Sequence, residues 1–187
     1  MNKVQPENAD QRVLAEGRHV RLVERAGWEW AERARGSGVV TIAAVTSDGE
    51  LVLTEQFRRP VDARVVDLPA GLVGDVDGSE DESRLVAARR ELLEETGYES
   101  DQWELVTEGP SSPGMTNEVL TFYLARNVKR VANGGGDASE DIDVHIVPLK
   151  RLHRWLEARR TVGILVDPKA YVGAFFARAA AAGEECR

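Results

Sequence analysis

Residues 78–98 read GSEDESRLVAARRELLEETGY, and the rest of the chain is best read outward from them. Ser79 followed three residues on by Glu82 is the signature of a capping box, and Gly97 supplies a left-handed stop. A helix of about four turns is therefore predicted between them. At about 100° per residue, Glu91, Glu94 and Glu95 fall in one arc, while Leu85, Val86, Ala88, Leu92 and Leu93 take the other side. The expectation is three carboxylates on one exposed face. Such an oxygen cluster suits a hard divalent cation, which takes a few carboxylates, keeps some waters and bridges phosphates. On composition alone the same pattern is a solvated acidic face, with Arg89 and Arg90 as its counter-ions.

The 187 residues, 42% of them hydrophobic, fit one domain with a full core, taken as residues 12–187 behind a flexible arm at 1–11. A formal net charge of −8, with no basic stretch, excludes a nucleic-acid-binding surface. Cys186 is the only cysteine, so neither a disulfide scaffold nor a cysteine metal site exists within one chain. The N-terminal segment is polar and no run reaches membrane-spanning length, which leads to the expectation of a cytoplasmic protein with no membrane partner.

In order along the chain, residues 12–35 read as a β-ribbon of two strands, His19–Val23 and Trp28–Trp30, joined near Ala26. VVTIAAVT from Val39 and LVLTEQFRR from Leu51 form a hairpin about the turn Ser47-Asp48-Gly49, and Val65–Leu68 adds a short strand. Trp103–Thr107 is a further strand. Glu108–Glu118, with two prolines and two glycines, is read as a loop. VLTFYLAR and IDVHIVPL are core strands separated by a flexible polar connection that contains Gly134-Gly135-Gly136. Helices follow at about Lys150–Arg160 and Pro168–Ala182, the last with Asp167 as cap and with Tyr171, Val172, Phe175, Phe176 and Ala179 read as its core stripe. Pattern alone gives α/β or α+β.

Order in the acidic helix says more. Glu82, seven intervening residues, and then Arg90-Glu91-Leu92-Leu93-Glu94-Glu95-Thr96-Gly97-Tyr98 resemble the Nudix box of pyrophosphohydrolases that act on nucleoside-diphosphate-linked compounds. One departure is plain: Val76 stands where the opening glycine of the box is expected. Gly71 of Leu68-Pro69-Ala70-Gly71 takes that part, with five extra residues inserted within Gly74–Gly78. The resemblance implies an α/β/α sandwich with a mixed central sheet plus the N-terminal β-ribbon. Glu55-Gln56-Phe57-Arg58-Arg59-Pro60 and the Leu-Pro-Ala-Gly lead-in are similar to the ADP-ribose pyrophosphatase branch.

That likeness implies Mg²⁺- or Mn²⁺-dependent cleavage of ADP-ribose to AMP and ribose 5-phosphate. The alternatives are a GDP-mannose or other sugar-nucleotide hydrolase, and a non-catalytic ADP-ribose sensor. The implied metal ligands are Glu91, Glu94, Glu95 and the Ala70 carbonyl, with Glu94 and Arg90 also counted in the catalytic set. Arg90 has Glu82 as its expected partner. Ser112-Pro113-Gly114-Met115-Thr116-Asn117-Glu118 looks like the substrate loop of that branch, which makes Glu118 the candidate general base. Substrate contacts are expected from Gly71, Leu72, Arg58, Arg33, Pro113 and Gly114. The branch also exchanges its ribbon across a homodimer, which implies Trp28 stacking on the base with His19 as the opposite wall.

Overall fold

Alternation along the strands sets the layers. In the computed structural model, which describes residues 10–36, 38–74, 81–136 and 141–183, strand β4 (Val39–Val45) is buried on both faces. Val39 and Ala43 point into one core and Val40, Ile42 and Ala44 into another. Strand β5 (Glu50–Arg58) splits in the same way, Leu51 and Leu53 against Val52. A strand dry on both sides must be central in a three-layer arrangement. Helix α1 (Arg84–Thr96) covers one face through Ala87, Ala88 and Leu92. Helices α2 (Leu152–Thr161) and α3 (Pro168–Ala181) cover the other through Leu152, Leu156, Ala170, Ala174 and Ala177. The result is the α/β/α sandwich.

The central sheet adds β6 (Ala63–Asp67), β7 (Ala70–Leu72), β9 (Gln102–Pro110), β10 (Val119–Arg126), β12 (Ile142–Pro148) and β13 (Leu165–Val166). Its main order is β13-β6-β5-β4-β10-β9, with β12 paired to β5 and β7 paired to β4. The β4–β10 and β6–β13 pairs are parallel and the others antiparallel, so the sheet is mixed. A two-stranded pair, β8 (Tyr98–Glu99) with β11 (Lys129–Arg130), follows α1.

Outside helix α1, the sequence reading needs correction in four places. The ribbon has three antiparallel strands rather than two: β1 (Arg12–Glu16), β2 (Val20–Arg25) and β3 (Trp28–Arg33). Glu108–Pro110 belongs to β9 instead of a loop, because β10 pairs with it up to Val119 opposite Pro110. Proline is tolerated there because β9 ends the sheet and loses no inner ladder bond.

Helix α3 buries the other of its two stripes. Ala170, Gly173, Ala174 and Ala177 lie against the sheet, while Tyr171 and Phe175 are exposed and Val172, Phe176 and Ala179 are half-buried. Small residues let the helix axis approach the sheet closely. Finally, the Gly134–Gly136 segment is a fixed partner of α1, as described next. The insert in Gly74–Gly78, apart from Gly74, lies outside the described residues, as do Ser79 and Cys186.

Candidate active site

Helix α1 begins at Arg84, and Ser83, not Ser79, is its N-cap, with the Ser83 side chain accepting from the Val86 amide at 3.3 Å. Glu82 serves no capping box because it is taken elsewhere: it accepts from the Gly74 amide at 3.3 Å and from both Arg90 Nε and Nη2. The helix stops at Gly97, whose φ of 74° is the left-handed conformation a Cβ would penalise. Its last carbonyls do not wait for water. The Gly135 and Gly136 amides donate to the carbonyls of Glu95 and Glu94 at 2.8 and 3.1 Å. The triglycine segment is therefore a C-terminal cap supplied from a distant part of the chain.

The three carboxylates do not share a wet face. Glu91 and Glu95 are buried, at 9% and 4% exposure, and only Glu94 is open to solvent. On the supposed apolar side, Val86 and Leu93 are exposed. The helix presents Glu91 and Glu95 to strand β7 instead. Glu95 accepts from the Ala70 amide at 3.0 Å. Glu91 lies so close to Gly71 that a Cβ there would stand 1.9 Å from its Cδ, so only glycine leaves room for this carboxylate.

Arg90 ties the cluster together. It donates to Glu82, to Glu91 at 2.8 Å, to Glu94 at 3.2 Å and to the Leu72 carbonyl at 3.1 Å. Burial alone would lower its pKa, but Glu82, Glu91 and Glu94 outweigh that and raise it. The hydrogen bond from Arg90 in turn holds the Glu82 carboxyl below its ordinary range against the cost of burial, with the Gly74 amide adding to the effect. Among the described residues, no three His, Cys, Asp or Glu side chains are gathered closely enough to hold a metal. With Arg90 engaging Glu91 and Glu94, gathering these oxygens requires that guanidinium to give way.

Glu91, Ala70, Gly71 and Leu72 form one wall of a cleft of about 680 Å³, within the range of small-molecule sites. Arg58, at the end of β5, and Ser111 also line it. So do Arg33 and Glu118, which meet each other at 2.7 Å. Glu118 is placed there by the loop 111–118. That loop is clamped to the ribbon by the Ala31 amide on the Met115 carbonyl at 2.9 Å and by Asn117 on Glu32 at 3.2 Å. Pro113, Gly114, His19 and Trp28 do not line this cleft within the same chain; all four are exposed, Trp28 at 71%.

A second charged group on the cleft wall carries no sequence motif. Lys169 meets Asp67 at 2.9 Å and Asp167 at 2.5 Å, and all three line the cleft. Burial pushes the Asp67 carboxyl up to about 6, which its single cation does not offset, while Asp167 adds to the rise. Lys169, with two carboxylates, is raised despite its own burial. The two shifts differ because Lys169 divides its charge between two partners, and Asp67, the more deeply buried, is left short. The available signal was Asp67 at a strand end three residues before Ala70, and Asp167 capping a helix that opens Pro168-Lys169. Only the parallel β6–β13 pairing brings them together.

Comparison with known proteins agrees with this geometry. Residues 35–164 match the NUDIX domain model. The chain is 32% identical over 130 residues to the methanol dehydrogenase activator of Bacillus methanolicus, covering 69% of this chain and 68% of that one. It is also 32% identical over 129 residues to the ADP-ribose pyrophosphatase of Bacillus subtilis, covering 68% and 67%. A crystal structure titled ADP compounds hydrolase superposes with a TM-score of 0.66 at 20% identity over 93% of this chain and 92% of that one, and shares the fold. From the buried carboxylate helix, the glycine that makes room for it and these matches together, the chain belongs to the NUDIX domain family.

Proposed function

We propose that the protein is a divalent-metal-dependent pyrophosphohydrolase acting on nucleoside diphosphate sugars, with ADP-ribose as substrate and AMP and ribose 5-phosphate as products. The observation that carries this reading is the Glu91 carboxylate, seated against Gly71 on one wall of a cleft whose lining also carries Arg33, Arg58 and Glu118. A cleft that carries both carboxylate and guanidinium groups would suit a diphosphate together with a divalent cation.

Glu91, Glu94 and Glu95, with the Ala70 carbonyl, have the oxygen chemistry that Mg²⁺ or Mn²⁺ takes, and the space cleared by Gly71 fits that use. When bound, such a cation neutralises phosphate oxygens and makes a coordinated water more acidic. The chain's own groups do the rest. Arg58 and Arg33 orient the diphosphate, Arg90 releases Glu91 and Glu94 while staying on Glu82 and the Leu72 carbonyl, and Glu118 takes the proton of the attacking water. No covalent nucleophile is required.

Glu118→Gln keeps an acceptor for Arg33 and removes the base. Turnover should therefore fall by about 10² or more with the Michaelis constant little changed; an unaltered rate would move the base elsewhere. Hydrolysis of ADP-ribose and of a nucleotide-sugar panel including GDP-mannose, with and without Mg²⁺ or Mn²⁺, tests the function itself. Absence of turnover with every member and both metals would leave a binding protein in its place.

The ribbon supplies the case for a homodimer. Val13, Leu14, Val20, Leu22 and Trp28 are exposed on it, and a three-stranded sheet so uncovered is a natural pairing surface. In that assembly Trp28 stacks on the base of a substrate in the partner's cleft, with His19, Pro113 and Gly114 nearby. Trp28→Ala should raise the Michaelis constant for ADP-ribose about tenfold, the scale of one lost base stack, while the dimer persists. Sedimentation as a monomer, or an unchanged Michaelis constant, would remove Trp28 from the site.

A further inference from the structure

The Asp67–Lys169–Asp167 cluster has no part in the chemistry above, yet it lines the same cleft as Glu91. We propose that these three side chains form a sugar subsite, in which the hydroxyl groups of the terminal sugar donate to Asp67 and Asp167 and accept from the Lys169 ammonium. The inference deepens the proposed function and rests on it. Three observations favour a polyol over the other parts of the substrate.

The first is charge. One ammonium between two carboxylates repels a diphosphate but offers a neutral hydroxylated ligand both acceptors and donors. The second is the lining. Among the described residues none that lines this cleft is aromatic, and Phe122, in the adjoining pocket that Asp167 and Lys169 share, is only 6% exposed, so this end offers no open face for stacking a base. The third is distance along the chain. Asp67 precedes Ala70 by three residues, which is at most about 10 Å of extended backbone. A sugar ring attached to a diphosphate beside Gly71 and Glu91 lies within that reach.

Burial also sets this cluster apart from an ordinary surface ion pair. Asp67 is 5% exposed, and burying its carboxylate costs more than one cation returns. Lys169 and Asp167 nonetheless keep 20% and 28% of their side chains open. Both therefore present polar atoms to the cleft, where ligand hydroxyls can reach them.

The test compares ADP-ribose with the methyl ester of ADP, which keeps the nucleotide and the esterified diphosphate and lacks the sugar. Lys169→Met removes the ammonium. Asp167→Ser removes a carboxylate and still caps α3, because serine is as good an N-cap as aspartate. Both variants should lose about tenfold in kcat/KM for ADP-ribose, the scale of one hydrogen bond to a charged group, with the methyl ester held within about twofold. Equal losses on both substrates, or no loss on either, overturn the subsite. If Lys169→Met does not fold, Asp167→Ser decides alone. Wild-type protein that cleaves neither compound refutes the proposed function instead, and the same comparison then runs on affinities by titration calorimetry, where equal affinities for the two ligands in wild type overturn the subsite.

Discussion

Glu95→Gln is expected to lower turnover at least about 100-fold with the fold unchanged. The carboxylate is 4% exposed and accepts from the Ala70 amide, and a glutamine oxygen can accept the same bond in the same volume. Local structure thus survives while one negative charge of the proposed metal set is lost. Removing one preorganised electrostatic element of this kind costs about 10²–10³ in rate. Single-turnover kinetics beside circular dichroism check it, and near-normal turnover in a folded variant would take Glu95 out of the metal set.

The second large effect comes from a residue that carries no chemistry. Gly71→Ala places a methyl carbon 1.9 Å from Glu91 Cδ and 2.0 Å from its Oε1. Glu91 cannot stay, and Arg90, bonded to it, is drawn along. Overpacking of this kind typically costs about 1–3 kcal/mol of stability, and the displaced carboxylate should lower kcat/KM by about 10². A melting curve and a rate constant identical to wild type would show that β7 and α1 part freely, contrary to the contact described.

What the sequence disclosed and what it withheld divide along a physical line. Strands β4, β5, β10 and β12, and helices α2 and α3, were legible because apolar runs, turn residues and caps are local signals. So was α1, whose box of charged residues fixes its identity. The burial of Glu91 and Glu95 was not legible, since an amphipathic reading assigns carboxylates to water, and only β7 folding back beside α1 shows that they face protein.

Ser79 has the capping-box spacing to Glu82, but Arg90 claims that glutamate and the helix begins only after Ser83, which caps it. On α3 the bulky stripe has helical spacing, but so does the small one of Ala170, Gly173, Ala174 and Ala177, and it is the small one that lies against the sheet. The Asp67–Lys169 contact joins residues about 100 apart and left no trace in spacing.

The cap on α1 has a consequence for how the protein is made. Its last two carboxylate-bearing residues are held by amides of Gly135 and Gly136, some forty positions later. On the ribosome, a chain released only to residue 130 has every side chain of the acidic helix but not the backbone donors that finish it. Helices of this length are marginal alone, so the site should acquire its final shape only after the glycine segment that follows β11 has emerged. The order of synthesis thereby keeps a carboxylate-rich edge from being completed before β4, β7 and β10 exist.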